Sequence, residues 1–358
     1  MTKPFVYNYS SDEYTGKVTW RCPSNIALVK YWGKRERQLP SNPSLSFSLS
    51  ECVTETSIEY EFIEATTSPA VHLLFNGQPN LKFQQRVKEF VENLILDIPD
   101  ISHLRMNINT KNTFPHSSGI ASSASAFGSI ALCLCSIEEK LAGSISGSLD
   151  FYQKASYLAR LGSGSGCRSV YGGYTVWGDS EFYSEFTNLY AIPLPFEVHP
   201  EFSELCDTIL VVSSIEKKLS STDGHALMKG HPFAMGRYSQ AQKNLNSIIT
   251  ALRTGDSDLF VNIVENEALS LHALIMSSGL GNVLMKPSTI AIMEQVTNFR
   301  NSNKIPVCFT LDAGPNVHLI YPNKYKDKLI PFVESDLKPL CENNYFIDDC
   351  IGKGPEKF

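Results

Sequence analysis

Residues 115–124 read Pro115-His-Ser-Ser-Gly119-Ile-Ala-Ser122-Ser123-Ala124, and they separate strand-like from helix-like sequence. Just before them, Leu104, Met106 and Ile108 alternate with polar residues, the period of a half-buried strand. Just after them, Phe127, Ile130, Ala131, Leu134, Ile137 and Leu141 recur at helical spacing, and Gly143 supplies a stop. The stretch is therefore a strand-to-helix connection with small hydroxyl residues at the helix start. A helix N-terminus carries free N–H groups and a partial positive charge, and glycine lets backbone approach a ligand, so phosphate suits the place. Ser122 and Ser123 add hydroxyls for phosphate oxygens or a metal. An ordinary Gly/Ser-rich helix start has the same composition, and the stretch alone does not separate the two readings. The Gly-x-x-x-x-Gly-Lys-Ser/Thr loop is absent.

Working outward, Val18 to about Tyr60 predicts short strands broken by Pro23, Gly33, Pro40 and Pro43. Leu45, Phe47 and Leu49 alternate with serines there, which predicts a half-buried strand. Helices are expected over 81–97 and about 150–161, and a hairpin over Ser169–Trp177 around Gly172-Gly173. Thr208–Val212 reads as a buried strand. The period then changes. Helices are expected over 235–254, with Tyr238, Leu245, Ile248, Ile249 and Leu252 inward, over 257–276, and over 288–300 with Ser288 as N-cap. Two alternating strands, Val307-Phe309-Leu311 and Val317-Leu319-Tyr321, follow. Runs of strands followed by runs of helices indicate an α+β fold. Pro193, Pro195 and Pro200 mark a boundary near 185–205. We divide the chain into an N-terminal extension (1–16, with Tyr7, Tyr9 and Tyr14), a first domain (17–195) and a second (196–358).

With 358 residues the chain can bury one large or two ordinary cores. Its net charge of −6 argues against a general nucleic-acid binder, which carries a basic excess. A small anion needs only local positive charge and stays open. The nine cysteines are scattered and odd in number, so reduced thiols in a cytoplasmic protein are expected. The first residues lack the apolar run of a signal peptide, and no stretch of about 18 apolar residues predicts a membrane span. The eight histidines show no zinc-ligand spacing.

Three further segments place charge or glycine at element boundaries. Asn25-Ile-Ala-Leu-Val-Lys30-Tyr31-Trp32-Gly33-Lys34-Arg35 sets cations beside aromatics, as a polyanion site or a solvated basic edge would. Gly162-Ser-Gly-Ser-Gly166-Cys-Arg168-Ser169 follows a helix, so it is not a dinucleotide fingerprint. It is either a serine-lined loop presenting Arg168 to an anion or a surface linker with a solvated arginine. Thr310-Leu-Asp312-Ala-Gly-Pro315-Asn316 holds an aspartate after an apolar strand, as a general base or a turn former.

In this order the four segments resemble the diphosphomevalonate decarboxylase family of the GHMP kinase superfamily, from about Val18 to Tyr321. The similarity runs through Pro23–Arg35, Asn42-Pro-Ser44-Leu-Ser46, Phe114–Ala124, Ala159–Ser169 with Tyr171-Gly-Gly173, and Phe309–Asn316. It implies the GHMP kinase fold: an N-terminal α+β domain with the phosphate loop, then a ferredoxin-like C-terminal half. It also implies a cleft between them and a homodimer. The implied activity is ATP-dependent decarboxylation of mevalonate 5-diphosphate to isopentenyl diphosphate, with ADP, phosphate and CO2. A relative acting on a differently phosphorylated mevalonate, a kinase alone, or a non-catalytic binding protein on the same fold are the alternatives.

The resemblance also implies roles for residues. Asp312 is the expected catalytic carboxylate, with Lys30 holding it ionised, and Arg168 and Asn25 near the substrate carboxylate. Tyr31, Lys34 and Ser165 fall near the diphosphate. Arg86, ten residues after Asn76, has the spacing of a phosphate-binding arginine. Ser220 and Ser221 face substrate and nucleotide, while Gly119, Ser122 and Ser123 cradle the phosphates of ATP with Mg2+. Gly166 stands where relatives carry alanine, which implies a looser loop around Arg168.

Overall fold

The computed structural model describes residues 15–63, 69–115, 120–142, 149–215, 221–279 and 282–358, with backbone alone at 99–100, 142 and 221–222. Residues 1–14 and Gly143 therefore lie outside the described residues. Thr15 and Gly16, placed by sequence in the extension, already pair in the first strand.

The first half is built on strands β1 (Thr15–Val29), β2 (Ser44–Phe62), β3 (Ala70–Phe75), β4 (Gln78–Pro79), β5 (Leu104–Asn112), β6 (Tyr174–Trp177) and β7 (Ile192–Pro193). Pairing is antiparallel except for β3 with β5. Residues 18–60 form two long strands, broken where Gly33, Pro40 and Pro43 lie but not at Pro23. β1 runs straight through Pro23, because the register shifts between Pro23 and Asn25 and no ladder bond needs the missing N–H. Helices α1 (Leu81–Asn93), α2 (Ser122–Ala142) and α3 (Phe151–Gly162) cover one face of this sheet through Val87, Phe90, Phe127, Ile130 and Leu158. The helix expected over 81–97 stops at Asn93 and tightens into a 3-10 turn at Leu94–Leu96.

The hairpin expected over Ser169–Trp177 does not form: a one-turn helix, α4 (Gly166–Ser169), ends at its first residue, 170–173 turn, and β6 pairs with β2 instead. Ser44, Ser46 and Ser48 are buried as fully as Leu45, Phe47 and Leu49, so β2 is covered on both faces. The serines pack as polar partners: Ser46 bonds Thr175 at 3.1 Å, and Ser48 donates to the Gly352 carbonyl.

The second half contains α5 (Pro200–Ser203), β8 (Leu205–Leu210), α6 (Ser221–Ala226), α7 (Ala234–Thr254), α8 (Ser257–Met276) and α9 (Pro287–Asn303). It continues with β9 (Cys308–Thr310), β10 (Val317–Pro322), α10 (Lys326–Phe332) and β11 (Phe346–Cys350). Its four-stranded sheet has the order β11-β8-β10-β9, all antiparallel. That is the fourth–first–third–second arrangement of a ferredoxin-like unit. Lys286, not Ser288, caps α9, because Pro287 takes the first helical position, where its missing N–H costs nothing.

Helices α7 and α8 lie between the two halves. Leu245, Ile249, Phe260 and Val264 share one apolar cluster with Leu45 and Phe47 of β2 and with Ile209 and Ile320 of the second sheet. Among the described residues α8 alone is long and apolar enough to cross a membrane. Here it is a core helix, with Phe260, Val264, Glu267, Leu271 and Ile275 buried in protein.

The chain end returns to the first half. A short β12 (Glu356–Lys357) pairs with β1. Asp349 of β11 accepts the amides of Ser50, Glu51 and Cys52 at 2.8, 2.9 and 2.7 Å. One buried carboxylate thus ties a bend of β2 to the second sheet. Asp349→Ala should cost about 3–4 kcal/mol, since it strands a charged hydrogen-bond set, and Asp349→Asn about half of that. Urea unfolding at pH 7 checks this: the midpoint falls and the slope stays constant.

Candidate active site

The site forms where β1 ends, where α3 gives way to α4, and where β9 turns into β10. Lys30 leaves the end of β1 with its side chain 2% exposed, and its Nζ donates to Asp312 Oδ1 at 3.0 Å. Asp312 lies just after β9, and its carbonyl faces His272 Nε2 of α8 at 3.1 Å. Arg168 is buried in α4, not solvated on a linker. Its Nε donates to Asn25 Oδ1 at 3.2 Å and its Nη1 to Ser44 Oγ at 2.7 Å. Asn25 Nδ2 in turn reaches Ser169 Oγ at 2.8 Å and the Ser165 carbonyl at 3.3 Å. Burial pushes the Arg168 guanidinium below its ordinary value, opposed by the nearby Cys167, Asp312 and Tyr31.

The glycines between α3 and α4 have a steric role. A Cβ on Gly164 would sit 2.7 Å from Tyr31 Oη. One on Gly166 would come within 3.1 Å of the Ala159 carbonyl and 3.3 Å of the Ala124 carbonyl. Gly166 therefore lets α4 press onto α2 and α3, and the loop is tight rather than loose. Tyr31 packs on Trp177 and His225, with ring centroids 4.7 and 4.2 Å away. Burial drives its phenol well above the ordinary value, so it stays protonated. Its hydroxyl is buried and has no hydrogen-bond partner among the described residues.

Lys34 donates to Gln38 Oε1 at 3.0 Å. Burial lowers its pKa first, the neighbouring Arg86 lowers it further, and Asp223 opposes both. Arg86 reaches the Gly162 carbonyl at 3.3 Å and stacks over Phe127. Lys34 and Arg86 are thus neighbouring cations. At the start of α2, Ser123 Oγ lies 3.1 Å from Ser163 Oγ, and Ser24 donates to the Ile120 carbonyl. Ala121 holds a positive φ of 45° as the chain turns into the helix. Gly119 and Ser220 fall outside the described residues, and Ser221 is placed only as the first residue of α6.

The comparisons decide the family. Residues 22–186 match the diphosphomevalonate decarboxylase-like N-terminal domain, and residues 208–353 the mevalonate 5-diphosphate decarboxylase C-terminal domain. The chain belongs to the diphosphomevalonate decarboxylase family. Its relatives include the diphosphomevalonate decarboxylase of Aspergillus fumigatus, 29% identical over 93% of this chain and 83% of that protein. Mevalonate diphosphate decarboxylase from Staphylococcus aureus superposes with a TM-score of 0.82 at 28% identity, covering 98% of this chain and all of that one. A structure described as MDDEF in complex with MVAPP, AMPPCP and magnesium gives 0.81 at 27% identity, covering 96% and 99%.

Several site residues of this family member escape sequence reasoning. Asn42 Nδ2 donates to the Lys30 carbonyl at 2.9 Å, and Ser44 receives Arg168; both lie inside the quoted Asn42–Ser46 motif. His225 follows Asp223-Gly224 directly and accepts the Gly33 amide at 3.0 Å through Nδ1. Burial first, then the cations Lys34 and Arg168, push its pKa down to about 3 from 6.5. The folded protein therefore refuses a proton that the unfolded chain accepts. Stability is fully present above about pH 6.5 and is lost as the pH falls toward 3. At pH 4 the loss from this one group is on the order of 3 kcal/mol. His225→Asn should weaken the protein at pH 7 yet reduce the further drop between pH 7 and pH 4 by that amount, as read from urea curves at both values.

Proposed function

We propose that this chain catalyses the ATP-dependent decarboxylation of mevalonate 5-diphosphate to isopentenyl diphosphate, releasing ADP, phosphate and CO2, in the mevalonate route to isoprenoids. The observation that carries the reading is the 3.0 Å contact between Lys30 and Asp312, 282 residues apart, beside the buried Arg168–Asn25 pair in a chain of this family.

Asp312 orients the tertiary 3-hydroxyl and takes its proton as the oxygen attacks the γ-phosphorus of ATP. Lys30 keeps the carboxylate ionised and balances charge on the transferring phosphoryl group. The phosphate then leaves with its electron pair. The C–C bond to the carboxylate breaks, and its pair closes the new double bond as CO2 departs. Asp312 passes the proton on to solvent through its exposed side, and its restored carboxylate, with the departing phosphate, holds the positive charge that develops at the former alcohol carbon. Arg168 and Asn25 face the substrate carboxylate. Tyr31, Lys34, Arg86 and Ser165 hold the diphosphate, with Ser220 and Ser221 between substrate and nucleotide.

The ATP phosphates lie at the start of α2 against Gly119, Ser122 and Ser123. Among the described residues no three His, Cys, Asp or Glu side chains gather as a metal site. Serine hydroxyl oxygens fit a Mg2+ that arrives on the nucleotide and keeps its waters, and the helix amides fit the phosphates that carry it. When bound, the ion neutralises phosphate charge.

The nine cysteines are free thiols, which supports a reducing, cytoplasmic setting. The homodimer rests on the family resemblance, and sedimentation should find a particle of twice the 39.8 kDa chain mass. Purified protein given mevalonate 5-diphosphate and ATP with Mg2+ should release CO2 and ADP one for one. ADP without CO2 would identify a kinase instead. Asp312→Asn should lower kcat by about a thousandfold or more while the Kd for nucleotide stays within about threefold.

A further inference from the structure

Lys30 is held from behind by a buried ion pair that the chemistry above does not use. Arg237 of α7 and Glu267 of α8 are 3% and 0% exposed. Their contact is forked: Nη1 meets Oε1 at 2.7 Å and Nη2 meets Oε2 at 2.5 Å. Both partners also reach the backbone of residue 30. Glu267 Oε2 accepts the Lys30 amide at 2.8 Å, and Arg237 Nη2 donates to the Lys30 carbonyl at 3.0 Å. Asn244 Nδ2 adds a bond to Glu267 Oε1 at 2.6 Å.

Residue 30 is where β1 has ended, so its amide and carbonyl have left the sheet ladder. The second half of the chain thus supplies the partner of the amide and one of the two donors to the carbonyl, the other being Asn42 Nδ2 at 2.9 Å. Desolvating two charges is expensive, and an apolar pair of similar size often serves stability as well. A forked ion pair gives something an apolar pair does not: directional bonds to the two peptide units that flank the Cα of residue 30.

We propose that Arg237 and Glu267 are positioning residues that clamp the backbone of residue 30 and so set the Lys30 ammonium against Asp312. This rests on the decarboxylase reading and deepens it. Asp312 is itself anchored to α8 through His272, so the lysine and the aspartate are both referenced to one helix. A displacement of about 1 Å at reacting groups can cost on the order of a hundredfold in rate.

The test is the double variant Arg237→Met with Glu267→Leu, which removes both charges together. We expect kcat to fall about a hundredfold with KM for both substrates within about threefold, and the thermal midpoint nearly unchanged. Hydrogen exchange at the residue-30 amide should quicken, while the amides of α8 stay protected. In single-turnover assays with enzyme in excess, adding the two substitutions to Lys30→Ala should slow product formation no further. Unchanged kcat in the double variant, or a slowing that multiplies on Lys30→Ala, would overturn the clamp.

If the double variant does not fold, Arg237→Lys serves. It keeps a cation on Glu267 but loses the fork, and the same split between kcat and KM is expected, with wild-type kcat overturning the clamp. The exchange measurement needs no turnover. Absence of decarboxylation by the unaltered protein would defeat the decarboxylase reading, and unaltered exchange would defeat the clamp.

Discussion

A lysine ammonium removed from water must meet a negative charge, and Lys30 meets Asp312. The lysine comes from the end of β1 and the aspartate from the loop after β9, so the contact exists only when the two halves are docked. Helices α7 and α8 make that docking possible by sharing one apolar cluster with both sheets. The carboxylate keeps 27% of its side chain in contact with solvent, while the lysine keeps 2%. The pair is therefore dry on the lysine side and open to solvent on the carboxylate side.

Around this pair the electrostatics are local. The chain is acidic overall, yet Lys34 neighbours Arg86, and Arg168 and Lys30 share Asp312 as a neighbouring charge. Cations gathered in this way favour an anion locally whatever the net charge. Tyr31 stays protonated and His225 stays neutral for the same reason: each is buried, so its ionised form lacks water. The phenol has no partner among the described residues, and the imidazole accepts the Gly33 amide.

Where local pattern misled, a long-range contact was responsible. The serines of β2 alternate with leucines as an exposed face would, but β6, the chain end and Arg168 cover them, so both faces are buried. Pro23 reads as a strand breaker until its register shift is visible. On α7, Tyr238 is half-buried and packs against the cluster of Trp32 and Leu271, but the fully buried neighbour, Arg237, is not one that an apolar stripe announces. Arg237 and Glu267 did leave a sequence signal, because each interrupts an apolar stripe: Arg237 before Ala241, Leu245 and Ile248, and Glu267 between Val264 and Leu271. A charge on such a stripe announces a buried partner without saying which one.

The sequence by itself determined the α+β class, the helices over 81–93, 122–142, 151–162, 234–254 and 257–276 to within a few residues, and the segments that carry Asn25, Lys30, Arg168 and Asp312. Those are properties of periodicity and of motifs within about thirty residues, which short-range physics encodes. Only the tertiary structure decided that Arg168 is buried rather than solvated, that Gly166 tightens its loop, and that one ion pair grips residue 30 from another sheet's helices. Each of these depends on which surfaces meet across hundreds of residues, and no local preference of the chain contains that information.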